Sequence, residues 1–296
     1  MTPFELILPL TKDILENEPM SRHTSFKIGG PADIMVFPET PDELINIWNT
    51  CKSENLPITV LGDGANVLVA DDGIRGIVVF TNKMNKISVL EGNLIHALSG
   101  ARLSAVAETA CRAALSGFAF ASGIPGTVGG AICMNAGAYN HDIQEFTEAV
   151  TLFSNGKTIV KSNEEMCFGY RKSIVQDGET LVLDATFKLS PGDTLKIREE
   201  IKDLNSRRRK TQPLEYHSAG SFFKRPTGHF AGKLIQDSGL KGFAVGDAQV
   251  SEKHAGFVIN KGNAAAADVL ALMHHVQKTV FENFGVHLEP EVRLLG

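Results

Sequence analysis

A serine in the heptapeptide "GSFFKRP", residues 220–226, is the first residue that could do chemistry. Ser221 lies between a glycine and two phenylalanines, and two cations and a proline follow. A hydroxyl in this setting could cap a turn, bind a phosphate, act as a nucleophile or donate a proton. A nucleophilic serine needs a G-x-S-x-G turn and a partnered base, and Phe223 stands where the second glycine should be. A turn cap or a proton donor remains.

Two other short stretches carry charged residues that could belong to a functional site. "FGYRKS", residues 168–173, places Arg171 beside Tyr170. Taken alone, an arginine of this kind is most often an ordinary surface cation. "LEPEVR", residues 288–293, carries Glu289 and Glu291, which a strand would point to the same face. Exposed carboxylates are common, so neither stretch identifies a site by itself.

The stretch "LGDGANVLV", residues 61–69, places a glycine-bearing turn directly after an apolar strand. Val67 occupies the position of the third glycine of GxGxxG, which excludes a nicotinamide-binding Rossmann turn. Asn66 is available for local backbone bonds or for a ligand. A tight strand connection and a ligand-binding turn explain this segment equally well.

Glycine is most frequent in "GIPGTVGGA", residues 123–131. Successive backbone N–H groups without Cβ atoms suit close contact with a pyrophosphate. Repeated glycine costs roughly 0.5–1 kcal/mol per residue in a regular element, so packing alone explains it poorly. We therefore expect a phosphate or cofactor contact here. The wider segment 122–138 is too rich in glycine for a helix and predicts a buried, irregular stretch.

Local patterns predict the elements that position these residues. Helical periodicity indicates a helix over 41–56, a second one after Leu103 that includes Ala114, a charged one over 193–208 and one from about 264 to 284 with Asn263 as N-cap. Apolar runs bounded by turn residues indicate strands at 57–62, 76–81, across 148–190 and again near 248–262. The apolar face of the first helix consists of Leu44, Ile47, Trp48 and Cys51. These elements predict a mixed α/β protein with at least two domains.

Composition excludes several classes of protein. The 296 residues are 43% apolar and 21% charged, and their net charge of −5 gives no basic field for nucleic acid or an anionic membrane. The four cysteines are scattered without a CxxC pair, so no metal site is predicted and a reducing compartment is expected. "MTPFELILPL" lacks the basic region and the long apolar run of a signal peptide or a membrane span. We expect a cytoplasmic protein.

Several of these stretches occur together in one order and at sensible spacing, from about Arg22 to the C-terminus. They are "RHTSFKIGGPAD", "LGDGANVLV", "SGIPGTVGGAICMNAGAY", "FGYRKS", "AGSFFKRP" and "LEPEVR". Together they resemble the UDP-N-acetylenolpyruvoylglucosamine reductase family. The block at residues 122–139 is the most specific of them. The resemblance favours the ligand-binding alternative for residues 61–69.

The resemblance implies an α+β, mixed α/β fold with an FAD-binding domain of the vanillyl-alcohol-oxidase (PCMH) type in two subdomains, followed by a smaller C-terminal α/β substrate domain. The implied boundaries are 1–82, 83–205 and 206–296, with the FAD-binding region at about 27–192. It also implies NADPH-dependent reduction of UDP-N-acetyl-3-O-(1-carboxyvinyl)glucosamine to UDP-N-acetylmuramate in peptidoglycan synthesis. FAD would be held non-covalently, NADPH would be a co-substrate, and the protein would be a monomer that binds neither nucleic acid nor membrane.

By matching motifs, the resemblance assigns catalytic roles to three residues. Arg171 would be the cation, Glu291 the acid and Ser221 the proton donor. The residues matched to cofactor binding are Gly62, Asp63, Gly64, Ala65, Asn66, Val67, Leu68, Gly123, Ile124, Pro125, Gly126, Gly129, Gly130, Ala131, Asn135, Ala136, Gly137 and Ala138. Those matched more weakly to the substrate are Tyr170, Lys224, Arg225, Gln249 and His254.

The chain departs from the commoner family pattern in two places. Only 50 residues separate Arg171 from Ser221 (221 − 171), which indicates the shorter branch without the inserted, tyrosine-bearing loop. Arg225 stands where many members have asparagine, so a diphosphate contact there would be an ion pair. Two alternatives remain at this point: another oxidase of the same flavin fold, and a non-catalytic binding protein that retained the fold. Retention of Arg171, Ser221 and Glu291 together favours the reductase.

Overall fold

A computed structural model describes residues 2–296 of the chain. Its α-helices are α1 Pro3–Ile7, α2 Pro41–Ser53, α3 Leu103–Arg112, α4 Val128–Met134, α5 Thr194–Thr211, α6 Ala231–Asp237 and α7 Ala266–Phe284. Its strands are β1 Ile14–Pro19, β2 Pro31–Val36, β3 Ile58–Leu61, β4 Val67–Val69, β5 Ile74–Phe80, β6 Ile87–Leu90, β7 Leu94–Leu98, β8 Leu115–Ser116, β9 Gly137–Ala138, β10 His141–Asp142, β11 Thr147–Ser154, β12 Lys157–Ser162, β13 Leu181–Lys188, β14 Ser190–Pro191, β15 His217–Ser221, β16 Ala244–Val245, β17 Ala248–Val250, β18 Phe257–Asn260 and β19 Arg293–Leu295.

The chain forms two compact units, both of them discontinuous in sequence. The first comprises the described residues up to Leu15 together with Met35–Asp63 and Gly76–Arg207. The second comprises Glu16–Ile34, Gly64–Arg75 and Arg208–Gly296. The three-part division predicted from the sequence stays a prediction, because compactness alone does not delimit cofactor-binding and substrate-binding regions.

An antiparallel sheet dominates the first unit, with strand order β12-β11-β13-β7-β6. Its buried face packs on α3 and α4 around a core that includes Phe118, Phe187 and Ile132. β3 and β5 pair in parallel, from Ile58 opposite Ile77 to Leu61 opposite Phe80, in a further sheet of order β1-β2-β5-β3. The antiparallel sheet and the parallel β3–β5 pair thus supply most of the strands of this unit.

The second unit contains a four-stranded sheet of order β15-β18-β17-β16 and a parallel pair of β4 with β19. Helix α7 packs on the sheet through an apolar stripe that includes Val269, Leu272 and Val276. Phe222 and Phe223 are buried, with 1% and 4% of their respective surfaces exposed. These two rings anchor the segment that follows Ser221.

Most predicted elements are confirmed. Helix α2 buries Leu44, Ile47, Trp48 and Cys51 as expected, and the strands across 148–190 and near 248–262 are present. The predicted charged helix is α5, which ends at Thr211. Helix α3 ends at Arg112, so its predicted extension to Ala114 is wrong. Ala114 instead has a left-handed φ of 53°, which no helix residue adopts.

Two further predictions need correction. Residues 128–134 of the glycine-rich segment form helix α4, although the composition predicted no helix there. Its first amides donate to main-chain carbonyls outside the helix, Val128 to Ala101 at 2.8 Å and Gly129 to Ser99 at 2.7 Å. These tertiary bonds and the burial of Val128 compensate for the low helix propensity of glycine.

The N-cap of α7 is Ala265 rather than the predicted Asn263. A carboxylate from a distant loop replaces the missing cap. Asp71 Oδ1 accepts the Ala266 amide at 2.8 Å and Oδ2 accepts the Ala267 amide at 3.0 Å. An acid at this position satisfies two of the amides that the helix itself leaves unpaired and complements the positive end of the helix dipole.

Candidate active site

Arg171 lies in the first unit with its guanidinium fixed by main-chain carbonyls. Nη1 donates to the carbonyl of Asn135 at 3.2 Å and Nη2 to that of Gly137 at 3.3 Å. The guanidinium carbon lies 5.1 Å from the centre of the Tyr170 ring. Both carbonyls belong to the glycine-rich block, so the structure brings the predicted cation and part of the predicted cofactor segment together.

The backbone around Arg171 is strained, as is common at functional sites. Arg171 has a φ of 55°, a left-handed conformation that side chains other than glycine rarely adopt. Gln176 stabilises it, because its amide nitrogen donates to the Arg171 carbonyl at 2.9 Å and to the Cys133 carbonyl at 2.8 Å. The strain is therefore held by hydrogen bonds from neighbouring segments.

Asn135 joins the glycine-rich block to the Arg171 loop. Its side chain is buried, and its φ of 40° ends helix α4. Nδ2 donates to the carbonyl of Gly169 at 3.0 Å and to Asp142 Oδ2 at 3.2 Å. Asn135 thus organises the loop that carries Arg171. Whether it also contacts the cofactor stays a prediction.

A close approach between Gly62 and Thr127 marks the candidate cofactor cradle of the first unit. A Cβ added to Gly62 would lie 2.1 Å from Thr127 Oγ1, so no side chain fits between them. Thr127 is buried, and Thr127 Oγ1 and Ser99 Oγ have no hydrogen-bond partner in the part of the chain that the structure describes. An unpaired buried hydroxyl costs about 1–3 kcal/mol. A bound polar group such as a pyrophosphate would supply the missing partner.

The other predicted cofactor residues of this unit lie around the cradle. Asp63 Oδ2 accepts from Arg102 Nε at 3.0 Å. The amide of Gly129 is engaged with Ser99, which leaves it no proton for a phosphate. The remaining predicted residues are Gly123, Ile124, Pro125 and Gly126 in the loop before α4, Gly130 and Ala131 within α4, and Ala136, Gly137 and Ala138 just after it. Their contacts with a cofactor stay predictions.

In the second unit, Ser221 is exposed at the end of β15, opposite Phe257 of β18. Gly220 has a φ of 79°, and the register shifts between Ser218 and Ser221. The next residue, Phe222, is held by two backbone hydrogen bonds. The Phe222 amide donates to the Gly256 carbonyl at 2.8 Å, and the Phe222 carbonyl accepts from the Glu291 amide at 2.8 Å. Ser221 caps no helix or turn among the described residues, and its role as proton donor stays a prediction.

The same backbone bonds place the two candidate acids in different surroundings. Glu289 has a side chain that is 73% exposed, and its Oε2 pairs with Lys224 Nζ at 3.1 Å. Glu291 is half-buried, and its carbonyl accepts from Asn66 Nδ2 at 3.1 Å. The structure therefore distinguishes an exposed residue, Glu289, from a half-buried one, Glu291, whose backbone is bonded to the Ser221 segment.

The first glycine turn also contributes residues to the second unit. The carbonyl of Gly64 accepts from the Ser25 amide at 3.1 Å. Val67 and Leu68 are buried and pair in parallel with Arg293 and Leu294. Ala65 precedes Asn66 in the same turn. This turn therefore supports the segment that carries Glu291, and its predicted cofactor contacts are untested.

The weaker substrate candidates already have partners within the protein. The guanidinium carbon of Arg225 lies 4.0 Å from the centre of the Phe230 ring. The amide nitrogen of Gln249 donates to the Gly242 carbonyl at 2.9 Å. Tyr170 is 57% exposed. Their contacts with a substrate stay predictions.

Sequence reasoning missed Thr127, Arg102 and Asp71. Thr127 lies inside the glycine run "PGTVGG", and a hydroxyl flanked by glycines was a signal that could have identified it. Arg102 and Asp71 have no local signal, because each acts on a segment distant in sequence. Among residues 2–296, no three metal-ligating side chains cluster. In the same range, the helices are too short or too polar to span a bilayer.

Comparison with known proteins defines the class and then the family. A model described as "FAD binding domain" matches residues 32–162, and one described as "UDP-N-acetylenolpyruvoylglucosamine reductase, C-terminal domain" matches residues 212–295. A solved variant of berberine bridge enzyme, 13% identical, covers 65% of this chain and 44% of its own with a TM-score of 0.50, which shows the fold alone. The chain is therefore an FAD-dependent oxidoreductase, and the predicted fold class is confirmed.

More similar proteins share the whole chain. UDP-N-acetylenolpyruvoylglucosamine reductase of Caldanaerobacter subterraneus is 50% identical over 99% of both chains. The crystal structure of the Thermus caldophilus reductase is 34% identical, with a TM-score of 0.82 over 96% of this chain and 98% of that one. The chain belongs to the UDP-N-acetylenolpyruvoylglucosamine reductase family. The hydroxyls of Thr127 and Ser99 fit a polar group of the FAD that this class carries, because both are buried and lack a partner among the described residues.

Proposed function

We propose that the protein reduces the enolpyruvyl ether of UDP-N-acetylglucosamine to UDP-N-acetylmuramate, with NADPH as hydride donor and non-covalently bound FAD as carrier. Support comes from the family membership over nearly the whole chain and from the FAD-binding match. The product is a peptidoglycan precursor, so the protein acts in cell-wall synthesis. The predicted monomer, the cytoplasmic location and the short, loop-lacking branch remain parts of this proposal.

The chemistry that FAD would supply, if it is held by the candidate cradle of the first unit, is hydride transfer from NADPH to the terminal vinyl carbon of the substrate. Negative charge then develops as an enolate on the adjoining carboxylate, where a positioned cation stabilises it. We assign this role to Arg171, whose guanidinium is oriented by two carbonyls. By the motif match we assign the acid that assists there to Glu291, whereas Glu289 is exposed and pairs with Lys224.

Ser221 then gives its proton to the α-carbon, which completes the addition of hydride and proton across the double bond. A serine is a weak acid, but an enolate carbon is strongly basic and good geometry compensates. The position of Ser221 is the observation that carries the proposal. Its hydroxyl is exposed, and the residue after it is held by backbone bonds of 2.8 Å to Gly256 and to Glu291.

The visible absorbance of the flavin provides the first test of the proposed function. Purified protein should be yellow, its flavin absorbance should bleach under anaerobic conditions when NADPH is added, and the enolpyruvyl substrate should restore it. Colourless, flavin-free protein would overturn the proposal. Bleaching by NADPH without recovery on substrate would leave a flavin reductase of another specificity.

The proton-donor role is tested by Ser221→Ala. We expect reoxidation by the enolpyruvyl substrate to slow by about 10²–10⁴-fold, while flavin reduction by NADPH changes far less. Stopped-flow absorbance measures both half-reactions separately. Ser53→Ala is the matched control, because Ser53 is an exposed residue at the end of helix α2. Equal losses in both half-reactions, or no loss in either, would contradict the assignment.

A further inference from the structure

His254 lies half-buried in the loop between β17 and β18 of the second unit. Its Nδ1 accepts a hydrogen bond from the Gly256 amide at 3.1 Å, and its own amide donates to Ser251 Oγ at 3.3 Å. The ring meets Phe257 edge to face, with centroids 5.1 Å apart. Because Nδ1 is an acceptor here, the imidazole is neutral and carries its proton on Nε2.

Two glycines make room for this ring. A Cβ added to Gly256 would lie 3.1 Å from His254 Cε1, and one added to Gly232 would lie 3.5 Å from the same atom. The ring therefore lies close to the main chain of Gly256, just before β18, and of Gly232 in helix α6. A histidine whose faces and Nδ1 are used in this way is a structural part of the loop.

A series of hydrogen bonds continues from Gly256 to both candidate catalytic residues of this unit. The Gly256 carbonyl accepts the amide of the Ser221–Phe222 peptide at 2.8 Å. The Phe222 carbonyl accepts the Glu291 amide at 2.8 Å, and the Glu291 carbonyl accepts from Asn66 Nδ2 at 3.1 Å. His254 holds one end of this series and Asn66 holds the other.

We propose that His254 is a positioning residue for Ser221 and Glu291: by accepting the Gly256 amide it fixes the loop that holds the Ser221–Phe222 peptide, and so sets where the serine proton is delivered. This inference rests on the proposed function, because it concerns the protonation step. It assigns His254 a different role from the substrate contact that the sequence suggested. The essential property of the side chain is the acceptor at Nδ1.

Two substitutions distinguish the effect of the hydrogen-bond acceptor at Nδ1 from the effect of side-chain volume. His254→Asn places an amide oxygen near the Nδ1 position, whereas His254→Leu keeps apolar volume and removes the acceptor. In the leucine variant, we expect reoxidation at saturating enolpyruvyl substrate to slow by about 10²-fold, the order expected for a misplacement of about 1 Å. The asparagine variant should recover most of this loss, and flavin reduction by NADPH should stay near the wild-type rate in both. His274→Leu, at an exposed position of helix α7, is the matched control.

The outcomes distinguish the inference from the proposed function. If the wild-type protein is not reoxidised by the enolpyruvyl substrate, the proposed function fails. If the wild type turns over and both variants are equally slow, the acceptor is not the essential property and the positioning role is refuted. A weaker substrate affinity with an unchanged rate at saturation would show a substrate contact and also refute it. If the leucine variant does not fold, the asparagine variant decides alone: near wild-type reoxidation supports the inference, and slow reoxidation overturns it.

Discussion

Replacement of Gly62 by alanine tests the candidate FAD cradle with a single methyl group. The new Cβ would lie 2.1 Å from Thr127 Oγ1 and 3.2 Å from both Thr127 Cβ and Cγ2. A comfortable contact needs about 3.5 Å, so the hydroxyl or the Gly62 turn must move by roughly 1 Å or more. Thr127 is buried and has no room to withdraw. Overpacking of this kind costs about 1–3 kcal/mol of unfolding free energy.

The expected result is a less stable protein that loses FAD during gel filtration, measured by the ratio of flavin to protein absorbance. Gly130→Ala is the matched control for stability only, because its Cβ would meet the same Thr127 Oγ1 at an ordinary 3.8 Å, whereas Gly130 is itself a predicted cofactor residue. Within helix α4 that change should raise the free energy of unfolding by about 0.5–1 kcal/mol. Adding Thr127→Ala to the Gly62 variant should restore part of the stability. A Gly62→Ala protein that retains wild-type stability and flavin would refute the reasoning.

Three further predictions concern the second unit. Asp71→Ala should lower the free energy of unfolding by about 1–2 kcal/mol in urea denaturation, because two amides of helix α7 lose their acceptor. Burial, with a smaller contribution from Lys241, lowers the pKa of His254. The unfolded chain therefore binds a proton at this histidine more readily than the folded protein does, so the folded protein loses stability as the pH falls below about 6.5. His254→Asn removes this titration and should show a smaller decline in melting temperature between pH 7 and 5. Glu291→Gln should slow reoxidation by about 10²-fold or more while Glu289→Gln stays near wild type in stopped-flow measurements; the reverse order would exchange their roles.

Elements with a strong local pattern could be predicted from the sequence. Helix α2 shows four apolar residues at helical spacing after a threonine cap, and all four are buried. The "NG" turn between β11 and β12 has positive φ at both Asn155 and Gly156, as its composition requires. In both cases the information lies within a few residues, so that the sequence alone is sufficient.

Features that depend on distant segments could not be predicted in this way. Helix α4 forms in a glycine-rich stretch because its first amides bond to Ser99 and Ala101. The start of α7 is capped by Asp71 from another loop, and β4 pairs with the last strand, β19. No local pattern encodes these partners. Of the candidate site, the residue types were predictable through the family resemblance, whereas the hydrogen bonds that hold Arg171, Ser221 and Glu291 in place were not.

Two glycines show why composition alone leaves the role of a residue open. Gly62 has an ordinary backbone, and the absence of its side chain matters because Thr127 fills the space. Gly220 has open space around its missing Cβ within 4 Å, but its φ of 79° is one that other residues adopt with strain. Among the described residues the first glycine allows close packing against Thr127 and the second allows the bend before Ser221, so the same residue type acts at the candidate cradle and beside the candidate proton donor by different physical means.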